Sequence, residues 1–323
     1  MNDDVKVSVI IPVYGTEKWI EKCSRSLFSQ TMQEGLEYIF VDDCSPDKSI
    51  EVMQGVLKEY PHRRNQVRVI RHERNQGVAI TRTDGMKAAR GEYIIHCDPD
   101  DWVDFTMYER LYNMAQKNDA DIVMCNFFIN KANGIVLEQE LTLYATPQEC
   151  VANYSKKGGY FCFCWNKLVR RKLIEQYQLY PPIGINLGED ANMSLKQLHF
   201  AQSVAFCDEY LYHYSLSNVN SLTHCKDTRA NFEMGKKNTE DMVSFLLEKD
   251  ARKYSVTANF LKFCAKIKIL RANPHDIDFF YETYKDCRKD IFKFTCEPLR
   301  ARIIHACMLY NKTFLKIYQS WQS

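Results

Sequence analysis

The chain predicts an α/β fold with a mostly parallel sheet flanked by helices, followed by a helical C-terminal extension. Three observations predict it. Short runs that are apolar throughout recur along the first part, as strands do when helices cover both faces of a sheet. Stretches of helical periodicity separate those runs, the pattern of right-handed βαβ units. Beyond about Thr223 the strand pattern stops and helical periodicity runs to the end. The 323 residues allow one large domain plus an extension.

Val7–Val13 is the first strand. Residues 19–29 follow with helical spacing, placing Ile20, Cys23 and Leu27 on one face. Residues 37–41 form a strand, and 49–60 an amphipathic helix with Ile50, Met53 and Leu57 aligned. Residues 67–70 form a strand, 78–89 a helix closed by Gly91, and 93–97 a strand. A helix over 105–117 and a strand over 122–126 complete the alternation. The pattern then loosens. Residues 135–143 read as a strand or hairpin, 147–154 and 165–177 as helices, 189–199 as a helix and 204–214 as an aromatic strand. The helical end is broken at Asn273-Pro274 and Glu297-Pro298. The expected division is 1–224 and 225–323.

A hydrophobic fraction of 46% with 26% charged residues is a globular rather than a disordered composition. The net charge of +2 hides an asymmetry. From Lys226 onward 19 Lys/Arg face 12 Asp/Glu, whereas the remainder has 24 against 29. An acidic first part suits a metal site, and a basic end suits surface docking. The thirteen cysteines form no CxxC pair and lie mostly in apolar runs, as reduced buried thiols do. The first strand begins at once behind acids, so no leader peptide is expected, and no apolar run approaches the ~20 residues of a membrane span. The expected location is cytoplasmic, with peripheral contact at the inner face of the plasma membrane as the alternative.

The densest chemistry is Asp98-Pro99-Asp100-Asp101, at the end of the apolar run 93–97. An Asp-x-Asp at a strand end puts two hard oxygen ligands at the rim of a sheet, where they can hold a divalent cation and, through it, a diphosphate. The strand over 37–41 also ends in acids, Asp42-Asp43, and two such ends suggest one crevice. An acid between a strand and a helix is also an ordinary N-cap. Asp101 or Asp104 fits that role for the helix near Phe105, and Asp47 for the one after Pro46. Asp42, Asp98 and Asp100 are left over.

Taken in order, Val9-Ile10-Ile11-Pro12-Val13-Tyr14, Phe40-Val41-Asp42-Asp43-Cys44-Ser45, Asn75-Gln76-Gly77-Val78-Ala79, Gly91-Glu92-Tyr93-Ile94 and Asp98-Pro99-Asp100-Asp101 resemble the signature of family 2 glycosyltransferases with the GT-A fold. The likeness covers roughly residues 5–130. Trp165-Asn166-Lys167-Leu168 and Gly188-Glu189-Asp190 resemble that family's acceptor-side motifs and extend it to about residue 222. The resemblance implies a nucleotide-sugar half over 1–126, an acceptor half over 127–224, and inverting transfer from a nucleotide diphosphate sugar, UDP-linked, to an acceptor hydroxyl.

The same resemblance assigns roles. Pro12 and Tyr14 line the base pocket, with Glu17 at its border, and Asp42 accepts a hydrogen bond from the base. Asp98 contacts the ribose or shares the metal, and Asp100 holds Mn²⁺ or Mg²⁺ against the diphosphate. Arg82 reaches the diphosphate as a fixed cation or is a solvated helix arginine. Asp190 is the general base, with Glu189 second; either is also an ordinary first-turn acid. His213 is a late metal ligand or a packed histidine. Lys167 binds an acceptor phosphate or lies on a solvated helix face. Gly15, Thr81, Thr83 and Pro99 depart from the family pattern, and none of them removes a carboxylate.

The partners so implied are the nucleotide diphosphate sugar and a glycan or lipid-linked acceptor of cell-surface polysaccharide assembly, not nucleic acid. Two rival classes remain. A sugar nucleotidyltransferase needs a Gly-rich phosphate loop after the first strand, and an inactive binding subunit should have lost Asp100 or Asp190. The basic tail from Pro298 places Ile304, Met308, Leu315 and Tyr318 along one stripe. That stripe lies on an anionic bilayer, on the domain itself or on a second subunit.

Overall fold

The run Val7–Val13 is buried along its whole length and forms β1. It pairs in parallel with β2 (Leu36–Asp42) and β4 (Tyr93–His96), and β2 pairs in parallel with β3 (Val67–Arg71). A computed structural model gives these elements and describes residues 5–142, 144–156, 162–218, 229–272 and 277–316. The helices between the strands are α1 (Ile20–Phe28), α2 (Ser49–Leu57) and α3 (Val78–Ala88). α1 buries Ile20, Cys23, Leu27 and Phe28, the face its spacing predicts. α3 lies close enough to the sheet that a Cβ on Gly85 would run into the Ile10 side chain.

The second half of the sheet differs from expectation. The segment 165–177 is not one helix. Lys167–Arg170 is a strand, β8, and only Arg171–Tyr177 is helical, as α6. Apolar residues at 165, 168, 169, 173 and 174 fit a helical face, which is why the pattern misleads. In the fold β8 finds partners on both sides, antiparallel to β4 and to β6 (Ile122–Asn130), and those ladder bonds decide its state. β6 runs parallel to β9 (Val204–Ser215) and antiparallel to β7 (Val136–Gln139), and the two-residue β5 (Trp102–Val103) is antiparallel to β9. The order is β3-β2-β1-β4-β8-β6-β9-β5, with β7 on β6. Parallel and antiparallel pairings are equally frequent, so the sheet is mixed rather than mostly parallel.

α4 (Met107–Asn118) is preceded by Asp104, whose Oδ1 accepts from Thr106 N at 2.9 Å and Thr106 Oγ1 at 2.6 Å. Asp101 has another task, described below. α7 (Glu189–Phe200) starts at Gly188, in the left-handed region at φ 72°.

The chain forms two units, Met1–Pro147 with Cys162–Val219, and Gln148–Phe161 with Asn220–Ser323. The sequence suggested a single cut near residue 224, but α5 (Pro147–Ala152) begins a segment that belongs mainly with the helices. Thr257 Oγ1 donates to Val151 O at 2.8 Å, and Cys296 N to Ser155 O at 3.0 Å. This second unit holds α8 (Arg229–Ala272), α9 (Ile277–Glu282), a 3-10 segment Lys285–Lys293 and α10 (Leu299–Tyr310). α8 breaks at Asp250 (φ −160°, ψ 90°), whose carboxylate accepts from Lys253 N at 2.9 Å and so caps the helix that resumes.

Phe232, Phe263, Phe280, Phe294, Met308 and Leu315 form the core of this unit, with Ile304 packed against it. Three of the four stripe residues of the tail therefore serve the unit's own core. Tyr318, Trp321 and the break at Asn273-Pro274 lie outside the described residues. Among the described residues no helix is long and apolar enough to cross a membrane.

Candidate active site

β1, β2 and β4 bring their C-terminal ends side by side, with Val13 in register with Asp42 and Ile10 with His96. The loops after β1 and β2 are sewn together by hydrogen bonds. Gly15, at φ 67°, donates its N–H to Ser45 Oγ at 2.8 Å, and Glu17 N donates to Asp47 Oδ2 at 2.9 Å. Glu17 reaches across to accept from Lys48 N at 3.0 Å. Its carboxylate thus holds the loop pair, a role that spacing alone does not reveal. Burial pushes the Asp47 carboxyl up, but hydrogen bonds from Ser49, Glu17 N and Ser45 outweigh it and bring its pKa below the ordinary value.

Pro12 is buried in β1, whereas Tyr14 is half exposed beyond its end. Asp42 is partly buried and accepts from Ser45 N at 2.9 Å. Its neighbour Asp43 is fully engaged. It accepts from Gln76 N and Gly77 N, each at 2.8 Å, and pairs with His72 Nδ1 at 2.7 Å. That latch fixes the turn into α3. Gly77 has φ 88°, and a Cβ there would overlap the amide of Asn186, which also accepts from Ala79 N at 3.1 Å. The loop before α7 is thereby fastened to the start of α3.

Arg82 lies on α3 and is 5% exposed. Its Nη2 donates to Asp98 Oδ1 at 2.7 Å, and its Nε to Glu189 Oε1 at 3.2 Å. Nη1 is buried with no hydrogen-bond partner among the described residues. Burial works against its charge, but the Asp98 carboxylate, helped by Glu189 and Asp190, holds its pKa well above the ordinary value. Arg82 is not the solvated helix arginine of one sequence reading: it is buried, and two carboxylates fix its guanidinium. The sequence could not pair it with Glu189, 107 positions away. Beside it the His96 imidazole is pushed well below its ordinary value by burial and then by the Arg82 charge, and so is neutral.

The three aspartates after β4 divide into distinct tasks. Asp101 is buried and accepts from Tyr212 Oη at 2.6 Å and Ser215 N at 2.7 Å, tying the loop to β9. Asp98 keeps 23% of its side chain exposed and pairs with Arg82. Asp100 accepts from Asn218 Nδ2 at 2.9 Å, and its carboxyl is raised by burial and then by the Asp98 charge. A desolvated carboxylate beside a like charge is the environment that a divalent cation relieves, so the residues fit Mn²⁺ or Mg²⁺. Among the described residues no three His, Cys, Asp or Glu side chains gather as a metal site. Asp100 and Asp98 would hold the ion, and substrate oxygens and water would complete its shell, as Mg²⁺ commonly requires.

His213 is not gathered with these acids. Its ring stacks on Trp102 at 5.0 Å and on Phe128 at 4.8 Å, a packing role. Lys167 also departs from both readings. It is buried on β8, donates to Phe163 O and Asn166 Oδ1, and burial lowers its pKa to about 8. It is therefore neither solvated nor placed to receive an acceptor phosphate.

Glu189 and Asp190 open α7. Glu189 is held by Arg82, while Asp190 is half-buried next to it. Burial and then the Glu189 charge raise the Asp190 carboxyl to about 7. A carboxylate that exchanges its proton near neutrality suits a general base.

The family model for glycosyl transferase family 2 matches residues 8–178. The chain is 35% identical over 222 residues to an uncharacterized glycosyltransferase, EpsJ, of Bacillus subtilis, covering 67% of this chain and 62% of that protein. It is 29% identical over 211 residues to a poly(ribitol-phosphate) beta-glucosyltransferase of Bacillus spizizenii, covering 65% of this chain and 32% of that one. The crystal structure of S. aureus TarS 1–349 in complex with UDP superposes with a TM-score of 0.69 at 18% identity, covering 98% of this chain and 92% of the other. That likeness shows the fold, the GT-A arrangement expected from the motifs.

Proposed function

The chain belongs to glycosyl transferase family 2, and on that premise we propose that it moves a sugar from a UDP-linked donor to a hydroxyl of a cell-surface glycan or lipid-linked acceptor, in one inverting step. The single observation that carries this reading is the Arg82 bridge. It joins Asp98, at the strand ends where a nucleotide would sit, to Glu189, next to the only carboxyl of the pair left free to exchange a proton. Similarity to a poly(ribitol-phosphate) beta-glucosyltransferase and to a protein crystallised with UDP supports the acceptor and donor classes.

Tyr14 and the partly buried Asp42 border the base pocket, and Asp98 faces the ribose. Asp190 takes the proton of the acceptor hydroxyl as its oxygen attacks the anomeric carbon. The bond from that carbon to the diphosphate breaks, and its electron pair leaves with the diphosphate oxygen. Asp100 would hold a divalent cation, which when bound would supply Lewis-acid stabilisation of that charge. Arg82 keeps Glu189 fixed, and burial, with the Glu189 charge beside it, raises the Asp190 carboxyl to about 7. The enzyme acts on the cytoplasmic side, at the membrane surface where a lipid-linked acceptor is presented.

The test is a panel of nucleotide sugars with Mn²⁺, reading nucleoside diphosphate release and the anomeric configuration of the product. Release from a UDP-sugar, dependent on added acceptor and giving the inverted anomer, is the expected result. Retention of configuration contradicts the one-step mechanism, and no release from any donor contradicts the enzyme reading.

A further inference from the structure

A cleft of about 280 Å³ opens beside Asp100, bordered on one side by the end of the loop after β1. It is walled by Lys18 from the loop after β1, Lys22 from the first turn of α1, Lys131 from the β6–β7 turn, and the hydroxyls of Ser215, at the end of β9, and Ser217 just beyond it. Among the described residues Asp100 is the only carboxylate in its lining, and none of Pro12, Tyr14, Asp42, Asp98 or Arg82 belongs to it. The three lysines make no ion pair among the described residues. Lys22 is held in place, its Nζ 2.8 Å from the centroid of the Trp102 ring. Lys131 begins a tight turn in which its N–H donates to Ile135 O at 2.8 Å and its carbonyl accepts from Gly134 N at 3.0 Å.

This arrangement answers a question left by Arg82. A diphosphate ester carries at least two negative charges, and gains another as it departs. Arg82 cannot balance them, because Asp98 and Glu189 already engage it. Among the described residues three lysines against one carboxylate give the cleft an excess of positive charge, and the Ser215–Ser217 hydroxyl pair, joined at 2.7 Å, keeps one O–H to donate to an oxyanion. Because the cleft begins at Asp100, an anion in it lies against the carboxylate that fits a divalent cation.

We propose that this cleft seats the donor's diphosphate, and that Lys18, Lys22 and Lys131 carry its charge as the glycosidic bond breaks. The proposal deepens the transferase reading and rests on it. The electron pair of the broken bond goes to the diphosphate oxygen beside these ammonium groups, while the acceptor's proton goes to Asp190. Part of the leaving-group stabilisation then belongs to the protein itself, independent of the metal.

Inorganic pyrophosphate tests this without knowledge of the base or the sugar. Trp19 and Trp102 both line the cleft, so their fluorescence reports binding. Wild type should bind pyrophosphate saturably in the absence of metal. Lys18→Ala, Lys22→Ala and Lys131→Ala should each weaken it, and together by more than about tenfold, the scale of losing charge-assisted contacts. Lys22→Arg should retain binding, and thermal melts of every variant should match wild type, since the three side chains are exposed. Wild-type pyrophosphate affinity in the triple variant overturns the proposal, as does a protein that turns over donor but shows no saturable pyrophosphate binding. Donor turnover measured in the same preparation keeps the two readings apart. Turnover without lysine dependence sinks only the cleft, and absence of turnover with every donor sinks the transferase.

Discussion

Asp100 and Arg82 are both charged and both poorly solvated, yet they answer substitution in opposite ways. Asp100 is raised by burial and by Asp98, so Asp100→Asn removes a repulsion and should not lower the melting temperature. It should abolish transfer and the Mn²⁺-dependent part of UDP binding; calorimetry with and without metal separates the two. Arg82→Met leaves Asp98 and Glu189 uncompensated in a buried site, which typically costs about 3–5 kcal/mol and is read from urea unfolding. Sequence reading reached Asp98, Asp100, Glu189 and Asp190 because each stands in a local motif. It did not reach the pairing of Arg82, the burial of Lys167 or the stacking of His213. Those depend on contacts between distant segments, and a lone Arg, Lys or His carries no local sign of its partner.

At the scale of elements, the turn into α3 holds the site together. Gly77 combines a positive φ with a near approach to Asn186, whose Oδ1 would lie 2.6 Å from an added Cβ. Gly77→Ala should therefore destabilise by more than the ~1 kcal/mol of backbone strain alone. The added Asn186→Ala change should recover only the steric part in thermal melts. A Gly77→Ala protein as stable as wild type would show that the turn is not under this constraint. The strands and helices of the first 130 residues were legible because each carries its own period and its own breaker. β8 was not, since four residues can be strand or helix, and only pairing with β4 and β6 decides. The two-residue β5 carries no period at all.

At the scale of the whole molecule, the helical end was legible, but what its apolar stripe packs against was not. Met308 and Leu315 are buried in the core of the second unit. Leu315→Ala should cost about 2–5 kcal/mol in the unfolding of that unit, the range for a large-to-small core change. Among the described residues, the apolar side chains this end leaves exposed for a membrane or partner are Phe292, Leu299, Ile303 and Tyr310. The account as a whole turns on Asp190 as the group that accepts the proton. Its carboxyl is raised to about 7, and it serves only when ionised, so turnover should rise with pH through about 7. Below that point the rate should fall about tenfold per pH unit. The decisive measurement is kcat against pH at saturating donor, for wild type and Asp190→Asn. The account predicts this acid limb in wild type, and in Asp190→Asn a rate lower by about two to four orders of magnitude with the limb gone. An acid limb that persists unchanged in Asp190→Asn, at near wild-type rate, would contradict it.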